Sequence, residues 1–217
     1  SLQSLHAAEA SGRLRGVAWS QNRLGQLELG AGRYAEARMR LLRARDLHAQ
    51  LGEPQGLASD ELALARLERL QGDPVKAAAL VEGVVAAYRG FRMPRGIALA
   101  QLELGSCFLA QDELSLALEP MAVALRLSAS IQAWPVFGRA LLRLAELRLK
   151  EGQAEAAILA LACLQQQSTC EAETEQGSRA LLAAQHATLG AAVIEPWIQR
   201  GGTLRLREAA AGLGVEI

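Results

Sequence analysis

Aromatic side chains are scarce, 4% of 217 residues, and lysine is scarcer still: apart from Lys76 and Lys150, every basic side chain is Arg. With so little aromatic mass, a hydrophobic fraction of 51% has to be built from Leu and Ala, which favours close-packed helices over pleated strands. Six prolines and few β-branched residues point the same way. An excess of one charge is also missing. Lys plus Arg and Asp plus Glu number 23 each, which removes the positive field that generic binding to nucleic acid or to an anionic membrane requires. No apolar run approaches the ~20 residues needed to span a bilayer, and no secretory signal pattern stands at the start. The cysteines, Cys107, Cys163 and Cys170, are odd in number. Cys163 and Cys170 are seven apart rather than at a two-residue metal spacing. They read as reduced thiols of a cytoplasmic protein, with Cys107 a small packing residue.

What is present is a repeat. Leu24-Gly25 returns as Leu64-Ala65, Leu104-Gly105 and Leu144-Ala145, and Ala37 returns as Ala77, Ala117 and Ala157, a step of 40 residues each time. Residues 1–12 read as the tail of a preceding repeat, because Gly12 is in phase with Gly52, and the chain reads as a piece of a longer protein. Repeats follow at 13–52, 53–92, 93–132 and 133–172, and 173–217 form a last first-type helix and a C-terminal cap. The whole is expected to fold as one unit, since each repeat touches only its neighbours.

Periodicity predicts a helix over Leu14–Leu29, with Val17, Leu24, Leu27 and Leu29 apolar. A second over Arg33–Gln50 has Tyr34, Ala37, Leu41, Ala44 and Leu47 on one stripe. Helices are also expected near 55–71, 74–89, 95–110 and 113–129. Gly72-Asp73-Pro74 specifies a turn: glycine leaves one helix, Asp73 caps the next, and Pro74 takes the first helical position. Gly90–Gly96 and Ala133–Pro135 read as loops, and Pro120 is expected to kink its helix. Val136–Gln167 is the fourth repeat, Ser168–Gln176 a polar loop or helix start, and Glu175–Leu189 a helix. After the apolar run Val193–Ile198 and the break Gly201-Gly202, Thr203 is expected to cap a last helix over Leu204–Ala211.

Glycine inside a helix costs up to ~1 kcal/mol relative to alanine. Gly25 and Gly105, with Ala65 and Ala145, therefore mark a close helix–helix seam against Ala37, Ala77, Ala117 and Ala157. No catalytic constellation accompanies it. His6, His48 and His186 lie on different units, Asp60-Glu61 and Asp112-Glu113 sit near helix starts, and there is no glycine-rich phosphate loop. The residues point to no enzyme, no metal and no cofactor.

The small residue early in the unit, the alanine twelve later and the glycine-marked turns resemble tetratricopeptide repeats over about residues 14–165. The 40-residue step departs from the usual ~34, and the early Trp is absent. The longer step, the LGEPQG loop and the ending Trp197, Gly201-Gly202, Thr203-Leu204 and Ala209–Ala211 resemble the helical sensor regions of large bacterial regulators of the maltose-activator type and of related ATPase-linked signalling proteins.

The resemblance implies an all-α fold, a right-handed α-solenoid of antiparallel helix pairs, whose first-type helices line a concave groove. Projected onto this chain, the groove is Trp19, Asn22, Gln26, Ser59, Leu62, Arg66, Arg69, Leu99, Leu102, Ser106, Arg139, Leu142, Glu146, Arg179 and His186. Asn22 and Gln26 offer amide groups, and Arg66, Arg139 and Arg179 can grip carboxylates or phosphates bidentately. The expected function is a non-catalytic binding or scaffold segment of a bacterial signalling or transcriptional regulator, recognising a protein, a peptide or a small effector. The alternative is self-association into a homodimer through Leu99 and Leu102, or through an N-terminal face near Leu2 and Leu5. Neither nucleic acid nor membrane is expected as a partner.

Overall fold

A residue in the left-handed backbone region recurs every 20 positions, at 32, 52, 72, 92, 112, 132 and 152. Each stands in a short turn between two helices. Glycine holds four of these positions, while Arg92, Asp112 and Gln132 hold the other three at φ of 54°, 63° and 55°. The computed structural model describes residues 2–167 and 171–217, with side chains from Gly12 onward. Its elements are α1 (Leu2–Gly30), α2 (Tyr34–Gln50), α3 (Pro54–Leu70), α4 (Pro74–Gly90), α5 (Pro94–Ala110), α6 (Leu114–Ser130), α7 (Trp134–Lys150), α8 (Ala154–Gln165), α9 (Ala172–Leu189), α10 (Ala191–Gly201) and α11 (Leu206–Gly212). There is no strand among the described residues. The fold is all-α, made of regularly spaced helices of the tetratricopeptide-like kind.

The turns follow local chemistry. At 70–74 the amide of Gly72 donates to Arg69 O and that of Asp73 to Glu68 O, closing α3 through a left-handed residue. Asp73 Oδ1 then accepts from Lys76 N at 3.0 Å, and Pro74 opens α4 where no amide donor is needed.

Several expected boundaries move. Gly12 and Gly16 lie inside α1, so Gly12 closes no helix. Gly90 is the last residue of α4 and the left-handed position is Arg92, so the 90–96 loop shrinks to a turn before Pro94. The turn at Gln132 is equally short, because α7 already begins at Trp134. Pro120 lies inside α6, as expected, and the helix continues to Ser130. The polar segment expected at 168–176 is helical from Ala172, and its first three residues, with Cys170, lie outside the described residues. Thr203 is not the final cap. Its hydroxyl donates to Arg200 O, and Glu208 accepts from the Arg205 amide at 2.7 Å to start α11.

The chain divides into two compact units, Ser1–Gly96 and Ile97–Ile217, with the boundary inside α5. In the first, the buried stripe of α1 is Ala18, Asn22, Gly25 and Leu29. It faces Ala37, Leu41, Ala44 and His48 of α2. Val17, Leu24 and Leu27, expected in this core, are exposed. The seam at Gly25 is real and has a sharper partner than Ala37: a methyl there would lie 2.7 Å from Leu41 Cγ.

In the second unit Met121, Leu125, Phe137, Leu141, Leu144, Ile158 and Leu161 form the core with Ala117 and Ala157. The seam repeats, since a methyl on Gly105 would lie 2.6 Å from Met121 Cγ. The C-terminal elements close this core: Ile194, Ala209, Ala210, Leu213 and Val215 are buried in it. Arg148 donates from Nε and Nη2 to Leu213 O at 2.9 and 2.6 Å. Gly201 brings α10 against α8 so closely that a methyl there would meet Leu159 O at 2.5 Å.

Candidate binding site

Position 22 of α1 is an asparagine in a stripe that is otherwise Ala, Gly and Leu. A buried amide has to be hydrogen-bonded or it destabilises the fold. Asn22 Nδ2 donates to Asp60 Oδ1 at 2.6 Å, and its Oδ1 accepts from Gln26 Nε2 at 2.6 Å. Asp60, fully buried on α3, places its other oxygen 2.6 Å from His48 Nδ1, also fully buried, on α2. One chain of polar groups thus joins α1, α2 and α3.

The surroundings are asymmetric. Trp19 meets the His48 ring edge-on, with centroids 4.9 Å apart, while Gly56 supports the ring from α3, where a methyl would come within 2.4 Å of it. His48 Nε2 has no hydrogen-bond partner among the described residues; Glu53 Oε2 is 4.0 Å away, and Glu53 is ion-paired with Arg15. Burial raises the Asp60 carboxyl above its ordinary pKa; the hydrogen bonds of His48 and Asn22, and the charges of His48 and Arg45, oppose the rise.

The same ring-over-glycine arrangement recurs forty residues on. Tyr88 stands where His48 stood, Gly96 lies under it, with a methyl predicted 2.6 Å from its ring, and Ser59 takes the place of Trp19. The Tyr88 phenol is hydrogen-bonded to Ser59; burial raises its pKa, the nearby Asp60 adds to the rise, and Ser59 opposes it. Sequence reasoning assigned no role to His48 or Tyr88 and placed Asp60 near a helix start, whereas it lies buried in the second turn of α3. A signal was present: Gly56 and Gly96 each follow a ring-bearing residue by eight positions.

Of the projected groove residues in the first unit, Trp19 and Gln26 are exposed, Ser59, Leu62, Arg66 and Arg69 are half-buried, and Asn22 is buried. Trp19, Asn22 and Gln26 gather around the network. Those in the second unit scatter more. Leu102, Ser106 and Leu142 are buried, and Ser106 Oγ donates to Leu102 O at 2.8 Å. These three are wall packing, not groove surface, because apolar or self-satisfied side chains gain most by facing the neighbouring helix. Leu99 is half-buried against Ala98, Ala133 and Val136. Leu99 and Leu102 therefore offer no open apolar face for self-association, and Leu2 and Leu5 lie outside the residues whose side chains are described. Arg139 is half-buried. Glu146 is paired with Arg143 at 2.6 Å, Arg179 with Glu175, and His186 is exposed with Nε2 3.6 Å from Glu195.

The second unit also holds a cleft of about 570 Å³, mostly apolar, between the start of α8 and the elements α10 and α11. Gly152, Ala156, Leu159, Trp197, Leu204 and Ala209 line it. No group of His, Cys, Asp and Glu among the described residues could hold a metal ion. No helix among them is long and apolar enough to cross a membrane.

A tetratricopeptide repeat family model matches residues 16–90. No curated protein and no solved structure matches the chain. Over α2, α3, α4 and the later part of α1, the chain is therefore similar to the tetratricopeptide repeat family, whose helix pairs mediate protein–protein interaction and scaffolding.

Proposed function

We propose that this chain is a non-catalytic binding segment of a bacterial signalling or transcriptional regulator, and that it takes a protein or peptide on the face of the first unit that carries Trp19 and Gln26. The observation behind this reading is that Trp19 leaves 39% of its surface in solvent while its ring is fixed edge-on by the buried His48. A rigid, half-exposed indole is the side-chain type that dominates binding energy at protein interfaces. Gln26, held by Asn22, supplies a neighbouring oriented amide, and Arg66 and Arg69 make the chemistry suited to an acidic peptide.

Fluorescence anisotropy with a pool of labelled acidic peptides tests the reading. Trp19→Ala, and separately Arg66→Glu combined with Arg69→Glu, should each weaken binding at least about tenfold with helicity unchanged. Binding that is retained in both variants would count against this face.

A further inference from the structure

Trp134 opens α7 at the repeat position where Pro54 opens α3 and Pro94 opens α5. Pro135 follows it and keeps a proline at the helix start, so the turn itself makes no demand on the indole. The ring packs on the core of the second unit, edge-on to the fully buried Phe137 with centroids 5.8 Å apart. Even so, Trp134 is only half-buried. It lines a second cleft of about 570 Å³, a volume that suits a small molecule of one or two rings.

The rest of the lining comes from two other places in the chain. Gln167, just past the end of α8, contributes an amide, and the stretch from Leu204 to Glu208 supplies the remaining wall. That stretch is held from behind. Leu204 O accepts from Cys163 Sγ at 3.2 Å, Leu204 and Leu206 pack against the core, and Glu208 accepts from the Arg205 amide at 2.7 Å. A ligand entering the cleft therefore meets walls already in place and has little ordering cost to offset.

Charge then selects the ligand. Arg205 and Arg207 both line the cleft and are exposed, and neither guanidinium is ion-paired among the described residues. Glu208 is the one carboxylate in the lining, and the Arg205 amide already engages it. The cleft is left with an excess of positive charge. Its neighbour between α8, α10 and α11 shares Leu204 and Glu208 but has the opposite character, being lined by Glu155 and Glu208 and by no Lys or Arg. An uncharged aromatic molecule could enter either cleft, whereas an anionic one is favoured only beside Arg205 and Arg207. Guanidinium groups grip carboxylate or phosphate through paired N–H donors, and a flat ring stacks offset on an indole.

The geometry points to a binding site for a small aromatic anion in this cleft, with Trp134 stacking on the ring and Arg205 and Arg207 holding its carboxylate or phosphate group. Gln167 supplies a neutral polar contact, and Leu204 and Leu206 cover the apolar edge. The site lies wholly in the second unit. It does not depend on the peptide-binding reading, which concerns Trp19 and Gln26 in the first.

The three tryptophans report on three separate places: Trp19 on the peptide face, Trp197 in the neighbouring cleft and Trp134 in this one. Titrating the full chain with 2-naphthoate, while following the indole N–H signals by proton–nitrogen NMR, should move the Trp134 signal and leave those of Trp19 and Trp197 in place. The Kd should be on the order of 1 mM or tighter. The uncharged analogue 2-naphthalenemethanol should bind at least about tenfold more weakly, and 2-naphthyl phosphate should bind at the same site. Arg205→Gln with Arg207→Gln should weaken 2-naphthoate at least about tenfold with helicity unchanged, since both side chains are exposed. A Trp134 signal that stays still up to about 5 mM ligand, or a shift confined to Trp197 or Trp19, overturns the site. Equal binding of the uncharged analogue, or undiminished binding by the double variant, overturns the assignment of an anion.

Discussion

His48 Nδ1 lies 2.6 Å from Asp60 Oδ2, with both side chains fully out of solvent. Burying such a pair is no net source of stability by itself, but breaking one that has formed is costly, because the remaining group keeps its desolvation without its partner. Asn22 and Gln26 complete the set. Together they tie the first repeat to the second through polar contacts, where the corresponding positions of later repeats hold Leu62, Leu102 and Ala100.

Asp60→Ala is expected to destabilise the first unit by about 3 kcal/mol, leaving both His48 Nδ1 and Asn22 Nδ2 without their acceptor. The pH dependence has a definite sign. A folded-state pKa raised above the ordinary 3.8 contributes stability that is complete below 3.8 and is lost as pH rises through the raised value. The stability of the wild type relative to Asp60→Asn should therefore fall as pH increases from about 3.5 towards neutrality. Urea unfolding of both proteins across that range checks it, and a difference that stays flat or rises would contradict the assignment.

Glu68 behaves in the opposite way. Its carboxylate accepts from Arg38 Nη1 at 2.8 Å and lies 3.1 Å from Lys76 Nζ, and the Arg38 hydrogen bond, aided by Lys76, holds its pKa below the ordinary 4.5 against the effect of burial. This stability is present above pH 4.5 and is lost as pH falls through the depressed folded value. Arg38 is partly exposed, so Arg38→Ala should cost only about 1 kcal/mol at pH 7. That difference should shrink in acid to what the Arg38 hydrogen bond to Gln71 contributes, as chemical denaturation at about pH 7 and in increasingly acid buffer would show.

Gly201→Ala should destabilise the second unit by about 1–3 kcal/mol. The obstacle is backbone, Leu159 O at 2.5 Å and Leu159 Cα at 2.9 Å, so no rotamer change can relieve it. Gly212→Ala makes a fair control, because a methyl there meets nothing within 4 Å. Equal melting temperatures for the two variants would refute the close approach.

Arg92→Gly and Gln132→Gly should each raise stability by up to about 1 kcal/mol, since both positions hold a left-handed backbone, φ 54° and 55°, that costs a side-chain-bearing residue about that much. Both are exposed, so little packing is lost. Thermal unfolding of the single variants reads the effect directly, and a lowered melting temperature would show that the turns are not strained.

The seam at Gly25 and Gly105 was legible because these glycines share a repeat phase with Ala65 and Ala145; a glycine inside a helix is not enough, since a methyl on Gly16 or Gly83 would meet nothing within 4 Å. The turn at Gly72-Asp73-Pro74 was legible because its three residues each demand one backbone state. The core face of α1 was not. Large apolar residues suggested Val17, Leu24 and Leu27, whereas the buried stripe is Ala18, Asn22, Gly25 and Leu29; size marks a core only when the covering helix is present. The His48–Asp60 pair was hidden for another reason. Its logic depends on Asn22, which lies 38 residues from Asp60 in sequence and meets it only once three helices have packed. The projected positions Leu102, Ser106 and Leu142 followed the face a tetratricopeptide groove would use, but their side chains are turned into the core.

The left-handed residues at 32, 52, 72, 92, 112, 132 and 152 act as phase marks along the chain. Within a helix, losing one residue would rotate every later side chain by about 100° and carry buried alanines out to water. Removing 40 residues between two such marks would leave each remaining stripe in its original phase. The chain's tolerance for length change is therefore quantised in phase: a whole helix pair can be lost without rotating the remaining faces, while a single-residue slip within one would scramble every face downstream as far as the next turn able to absorb it.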